Sequence, residues 1–322
     1  MMNLKSVMLF VSVFLFVIHC SKELGPDKEG DFSIYFLRDS TLTVRDVRDM
    51  DLNALDLADR PWLSDEDLTR YDFSTHILYL KKDREDVTDL FRELGFFSVS
   101  VFGKPFVVCA GSGRCYLGSF HSPASSLAPA TPYIDGLSIP GDPYDLIHLE
   151  KPWIEGHDAR NDPVVKENLI RLGIYHAGFE VNLRSIRVVQ NTDTSTIEYA
   201  FRIVNRDADD LYVLDPEKMG HSFHYFMNGP DIWKNDEYFY PEFKTDTTPL
   251  EKWSSAWYTL IAGGRSIERT VRLEGYPRFP TGKYTGDFRY SCPPVEKSRR
   301  TTPSGRYWMG RIDTESIDWS VR

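Results

Sequence analysis

The sequence predicts an α+β domain over residues 31–175, followed by an all-β sandwich over 176–322. Three observations carry that reading. Short apolar runs alternate with capped helical segments before residue 120. A proline-rich stretch fills 121–163. From residue 179 onward the hydrophobic pattern has a period of two, broken by turn residues. A chain of 322 residues suits two domains of roughly 100–200 residues each.

In the first domain, Ser33–Leu37 and His76–Leu80 read as strands. Thr43-x-x-Asp46 and Ser64-x-x-Asp67 read as helix openings, in which a hydroxyl accepts an orphan backbone N–H and an acid suits the positive helix end. Residues 86–94 predict a helix with Val87, Leu90, Phe91 and Leu94 on one face and Gly95 as its stop. Strands over 96–102, 105–110 and 114–120 follow, giving an antiparallel sheet.

Residues 121–163 hold seven prolines, yet Leu127, Tyr133, Ile134, Leu137, Ile139, Ile147 and Trp153 call for burial. The expectation is a long ordered loop, either lining a site or wrapping the sheet. Asp162-Pro163 then opens a helix through Leu172, closed by Gly173. In the second domain, Phe179, Val181 and Leu183 alternate, as do Ile197, Tyr199, Phe201 and Ile203, and Tyr284, Phe288 and Tyr290 around Gly286. Asn191-Thr192-Asp193, Asn205-Arg206-Asp207 and Ala262-Gly263-Gly264 separate the strands, the spacing of a β-sandwich.

The first twenty residues read as an address. Lys5 precedes an apolar run over 7–18 interrupted by Ser12 alone. Twelve helical residues rise about 18 Å against a bilayer core of about 30 Å, so the run fits a secretory signal peptide over residues 1–19 better than a membrane span. Val17-Ile18-His19-Cys20 resembles the lipobox of bacterial lipoproteins, with His19 where that family usually carries Gly, Ala or Ser. The resemblance implies a lipid on Cys20, a membrane partner reached through that anchor, and a flexible tether over 20–30. Ser21, where the family's inner-membrane retention signal has Asp, makes the outer membrane the expected location, facing the periplasm or the cell surface. An ordinary signal peptide followed by an unrelated cysteine is the alternative.

The formal charge of −10 excludes an electrostatic nucleic-acid binder, which needs Lys and Arg to displace phosphate counterions. Removing Lys5 with the signal leaves a body still more acidic, which anionic head groups repel. Of the other cysteines, Cys109 and Cys115 flank Gly111-Ser112-Gly113. A hairpin with a three-residue loop would set them opposite each other, as a disulfide or as two buried thiols. Cys292 has no evident partner.

A resemblance spans the C-terminal residues. Leu260-x-Ala262-Gly263-Gly264-x-Ser266, Val271-x-Leu273, Gly282-x-Tyr284, Tyr290 and Trp308-x-Gly310-x-Ile312 look like the secreted immunoglobulin-like sandwiches that accompany deuterolysin-type peptidases. It implies an immunoglobulin-like fold outside the cytoplasm. The peptidase does not carry over, because the sequence has no H-E-x-x-H.

Catalytic signatures are lacking: there is no G-x-S-x-G elbow, phosphate loop or dinucleotide fingerprint. His148, His157 and Asp158, with Asp142 and Asp145 near them, would suit acid–base or zinc chemistry if they converged; hydrogen bonds within the loop are the alternative. His221-x-x-His224 sits among aromatics that favour a strand, on which the two rings diverge. Asn205-x-Asp207-x-Asp209-Asp210 resembles half a calcium loop, but lacks its glycine and closing Glu, so it reads as an acidic turn. No metal site and no cofactor is expected.

Between His221 and Tyr258 eleven residues are aromatic, interleaved with Asn228, Asp231, Asn235, Asp236 and Glu237. Flat rings beside hydrogen-bonding groups suit a glycan or peptide, while aromatics also fill sandwich cores. Trp233, Tyr238, Phe239 and Tyr240 are the expected ligand-binding residues, Trp233 because no clean strand period contains it. The functional expectation is a lipid-anchored envelope protein that binds a glycan, peptide or protein partner without catalysis. A hydrolase of envelope or extracellular polymers and an architectural subunit of an outer-membrane assembly are the competing classes.

Overall fold

The computed structural model describes residues 32–82, 100–122, 125–135, 145–153, 158–226, 228–241, 254–295 and 299–322. The expected signal peptide and tether, Cys20, the helix expected over 86–94 and most of the strand expected over 96–102 lie outside them. The described chain is mostly β, in several sheets.

The first half contributes β1 (Phe32–Phe36), β2 (Leu63–Ser64), β3 (Leu68–Asp72), β4 (Ile77–Leu80), β5 (Lys104–Ala110), β6 (Gly113–His121), β7 (Tyr133–Asp135), β8 (Leu146–His148) and β9 (Tyr175–His176). They form two sheets, ordered β2-β1-β5-β6-β7 and β8-β4-β3-β9. Phe32, Ile34, Phe106 and Val108 from the first sheet meet Tyr71 and Leu78 from the second in one apolar cluster. Helical content is small here. Helix α1 (Val44–Val47) has one turn, and Ser64 opens only a 3-10 turn; Asp46 and Asp67 accept the backbone N–H of Thr43 at 2.8 Å and of Ser64 at 3.0 Å. Helix α2 (Pro163–Arg171) matches its sequence signal throughout. Asp162 accepts from the Val164 and Val165 amides, Pro163 occupies the first turn, and Gly173 follows at φ 71°. Val165 and Leu169 seal it onto the cluster.

The described parts of the proline-rich stretch contribute edge strands to both sheets. β7 adds to the first sheet in parallel with β6, β8 pairs with β4 in the second, and Tyr133 bridges to Glu150 between them. The segment therefore links the two sheets at their edges. Trp153 was expected to be buried, yet it is 70% exposed; its indole N–H reaches the Tyr133 hydroxyl at 2.9 Å, which tethers the ring at the surface. Leu127 is likewise exposed.

The second half contributes β10 (Phe179–Gln190), β11 (Thr194–Asn205), β12 (Leu211–Leu214), helix α3 (Pro216–Met219), β13 (Pro230–Lys234), β14 (Glu237–Tyr238), β15 (Tyr258–Ile261), β16 (Ser266–Pro277), β17 (Gly282–Cys292), β18 (Thr301–Thr302), β19 (Gly305–Tyr307), β20 (Gly310–Asp313) and β21 (Ile317–Val321). Three sheets result: β10-β11-β16, β15-β12-β19-β18 and β14-β13-β17-β20, with β21 also on β17. The period-two residues face inward as the pattern demands: Ile197, Tyr199, Phe201 and Ile203 on β11 meet Tyr284, Phe288 and Tyr290 on β17. Phe201 and Phe288 lie 4.7 Å apart. Each such ring, fully buried, contributes on the order of 1.5–3 kcal/mol.

The halves are docked through the turn between β19 and β20. Met309 packs against Ile77, Tyr79 and Leu146, and the buried Trp308 donates its indole N–H to Ser74 Oγ at 3.0 Å. Gly310 fits because a Cβ there would lie 2.7 Å from the Thr75 side chain.

The hairpin carrying the cysteines differs from expectation. Ala110 pairs with Gly113, so the loop is Gly111-Ser112, with Gly111 at φ 58°. The register shifts between Val108 and Cys109, setting Arg114 rather than Cys115 opposite Cys109. This bulge turns Cys115 toward the cluster between the two sheets, while Cys109 points to the opposite face with Val107 and Leu55. Both thiols are unbridged, as is Cys292.

Candidate functional site

The exposed aromatics converge on one hairpin. Asn235 and Asp236 both adopt positive φ, 49° and 66°, the conformation of a two-residue turn whose twist matches its strands. That turn pairs Trp233 on β13 directly with Tyr238 on β14. Their ring centroids lie 6.0 Å apart, and Tyr240 stacks on Tyr238 at 5.9 Å with planes 10° apart. Tyr238 and Tyr240 are 53% and 57% exposed, and Trp233 is half-buried.

Two expectations are corrected here. Trp233 does belong to a strand: Ile232 faces the core while Asp231 and Trp233 face outward, so the period is present but short. Phe239 is not a surface residue. It is 5% exposed and stacks on Phe279 at 4.8 Å, with Tyr284 edge-on at 5.3 Å. Its amide donates to the Ile232 carbonyl at 2.9 Å, so Phe239 anchors the hairpin whose neighbouring rings stay outside. The Asn235-Asp236 pair was the sequence signal for this turn.

The platform continues along the outer face of β17. Trp233 opposes Thr285, whose hydroxyl donates to Asp318 at 2.7 Å. Asp231 directly opposes Asp287. Arg289 stands between Asp231, at 3.4 Å, and Asp313, at 3.3 Å, and Arg311 also binds Asp313 at 2.9 Å. Burial, and then the charges of Asp231 and Asp313, push the Asp287 carboxyl up to about 6 against the pull of Arg289.

Of the remaining aromatics of 221–258, Trp257 packs partly buried against the core. Phe223 and Tyr258 are buried, whereas residues 242–253, with Phe243 and Trp253, lie outside the described residues. Residues 220–226 form a 3-10 helix rather than the expected strand.

Among the described residues, the polar candidates of the proline-rich stretch are engaged with other partners. Asp145 is taken by Arg300. Asp158 holds Arg160 through two contacts, 2.9 and 2.7 Å, while Arg160 also binds the Leu149 carbonyl. His148 lies 3.9 Å from Glu150. Asp142 and His157 lie outside the described residues.

A second polar cluster sits where the halves meet. His176 Nδ1, Asp207 and Asp209 place one ligand atom each within 4.8 Å of one another, a set able to hold a cation. Arg306 takes that role itself: its guanidinium binds Asp207 at 2.5 Å and lies 3.5 Å from Asp209 and 3.7 Å from the fully buried Asp72. Burial disfavours ionised Asp207, but the His176 hydrogen bond and the Arg306 charge outweigh it and hold the carboxyl well below the usual range. The Asn205–Asp209 segment is the acidic turn expected, with the Asp207 amide on Asn205 Oδ1 at 2.9 Å. Sequence reasoning missed His176 and Arg306, whose partners are remote along the chain.

No family model and no curated protein matches this chain. Among the described residues no helix is long and apolar enough to cross a membrane.

Proposed function

We propose that this chain is an exported bacterial envelope protein, held at the outer membrane by a lipid on Cys20 and facing the periplasm or the cell surface. Its role is non-catalytic binding of a glycan, peptide or protein partner. In this reading the first half is an α+β domain and the second an immunoglobulin-like sandwich that presents the ligand face. The observation that carries the binding role is the exposed row Trp233, Tyr238 and Tyr240, kept outside by a hairpin anchored through Phe239. Exposed aromatic rings offer large apolar faces at little cost in side-chain entropy, which suits recognition. The engagement of Asp145 and Asp158 in ion pairs with arginines also favours binding over hydrolysis.

Protease accessibility on intact cells, comparing the wild type with Cys20→Ala, tests the location. Loss of the variant from the membrane fraction is expected, and an unchanged membrane location would sink the anchor. Ligand capture by cells carrying Trp233→Ala and Tyr240→Ala tests the face, and capture unchanged by both would rule it out.

A further inference from the structure

We infer that the ligand of the aromatic hairpin is an uncharged glycan chain. The inference rests on the reading of that hairpin as the binding face, and the chemistry of its surroundings narrows the choice.

The rings supply apolar faces for the C–H faces of sugars, and Tyr240, Tyr238 and Trp233 form a continuous series with neighbouring centroids 5.9 and 6.0 Å apart. A ligand crossing all three needs a repeating unit with an apolar face. Beside Trp233 the sheet offers acceptors for hydroxyl groups, the Asp318 carboxylate and the Thr285 hydroxyl, with Asp231 two residues before Trp233 on the same outer face. Rings flanked by hydroxyl acceptors match a polyol.

Three cations of this face, Arg289, Arg311 and Lys234, are each engaged by a partner. Arg289 is shared by Asp231 and Asp313, and Arg311 binds Asp313. Lys234 donates to the Thr281 carbonyl at 3.0 Å and lies over the Tyr284 ring. An anionic ligand would have to draw these cations from their partners and a cationic one would compete with Arg289 and Arg311 for Asp231 and Asp313, whereas a neutral one leaves the pairs in place. A peptide adding to the sheet edge would need a row of free backbone groups. The edge strand β14 has two residues, too short to template a partner strand. An apolar protein surface would have to cover Lys234, Asp236 and Glu237, which lie on the same hairpin as the rings.

The test uses the full chain purified in detergent micelles. Neutral hexasaccharides of glucose, N-acetylglucosamine and xylose are compared with galacturonate and glucosamine hexamers by titration calorimetry. At least one neutral hexamer is expected to bind with an affinity indifferent to salt. That affinity should fall at least about tenfold in Trp233→Ala and in Tyr240→Ala, and be largely kept in Trp233→Phe, which retains a ring. Unchanged melting temperatures in the variants separate ligand contact from folding.

Binding to the charged hexamers alone, weakening with salt, would overturn the inference, as would binding to none of the neutral ones. A protein or peptide captured through Trp233 in place of a glycan would overturn it too, while leaving the hairpin as the binding face. A ligand indifferent to both alanine variants would overturn the inference and the underlying reading together.

Discussion

Arg300 and Asp145 lie 155 positions apart in sequence and form a two-point ion pair, Nη1 to Oδ2 at 2.6 Å and Nη2 to Oδ1 at 2.9 Å, with side chains only 4% and 7% exposed. The pair ties the proline-rich stretch of the first half to the last strands of the second. Arg300 Nε also donates to the Val295 carbonyl at 2.7 Å, fixing the guanidinium plane.

Removing one partner strands the other charge in a buried junction. Arg300→Met and Asp145→Asn should each cost about 3–5 kcal/mol in urea unfolding. The double variant Asp145→Leu with Arg300→Met should recover much of that loss. Equal losses in the single and double variants would mean that the junction depends on packing alone.

Acid should loosen the protein through Asp207 and Asp215. Burial opposes ionisation of Asp215, but hydrogen bonds from Arg269 and Thr259 prevail, so both carboxyls titrate below the ordinary range. A depressed folded-state value gives stability that is present above the unfolded value of about 3.9 and lost as pH falls through the folded one. Unfolding free energy should therefore drop below about pH 4, and Asp215→Asn should lower it at neutral pH while flattening the acid limb.

Asp287 should act in the opposite sense. Its carboxyl is raised to about 6 by burial and by Asp231 and Asp313, so the folded state holds the proton that the unfolded chain has released. Stability from this group falls as pH rises between about 4 and 6. Asp287→Asn should stabilise the protein at neutral pH and remove that slope, measured by melting temperature against pH.

The thiols should be present and inert. Burial raises Cys109 to about 11 and Cys115 to about 12, and the bulge sends them to opposite faces of one sheet. Alkylation without reductant should modify both only after denaturation, at the rate of unfolding. Mass spectrometry finding a Cys109–Cys115 bridge would contradict the register.

Gly178 should tolerate no side chain. It has φ 65°, and a Cβ would lie 2.1 Å from Ser74 Oγ and 2.4 Å from Asp72 Oδ1, at the junction that also seats Trp308. Gly178→Ala should cost more than the roughly 1 kcal/mol of an unstrained left-handed position, read as a lower denaturation midpoint with an unchanged slope.

Much of the β architecture was legible because its cause is local. Alternation along residues 179–183, 197–203 and 284–290 states which side of a strand meets the core, and Asp162-Pro163 with Gly173 states where a helix begins and ends. The candidate site was legible in part: Trp233, Tyr238 and Tyr240 form the exposed row, whereas Phe239 turned inward. A residue between two tyrosines just past a short edge strand looks the same in sequence whichever face is buried, and the Asn235-Asp236 turn fixed the register that decided it.

The sequence by itself determined the strand periods, the turn positions, the acid excess and the excess of aromatics in 221–258, since each follows from neighbours along the chain. Tertiary structure alone decided that Asp145 would meet Arg300, that Arg306 would fill the place a cation could take beside His176, Asp207 and Asp209, and that the proline-rich stretch would edge two sheets. Those outcomes depend on groups far apart in sequence, whose approach is set by how the sheets pack and how much water that packing excludes.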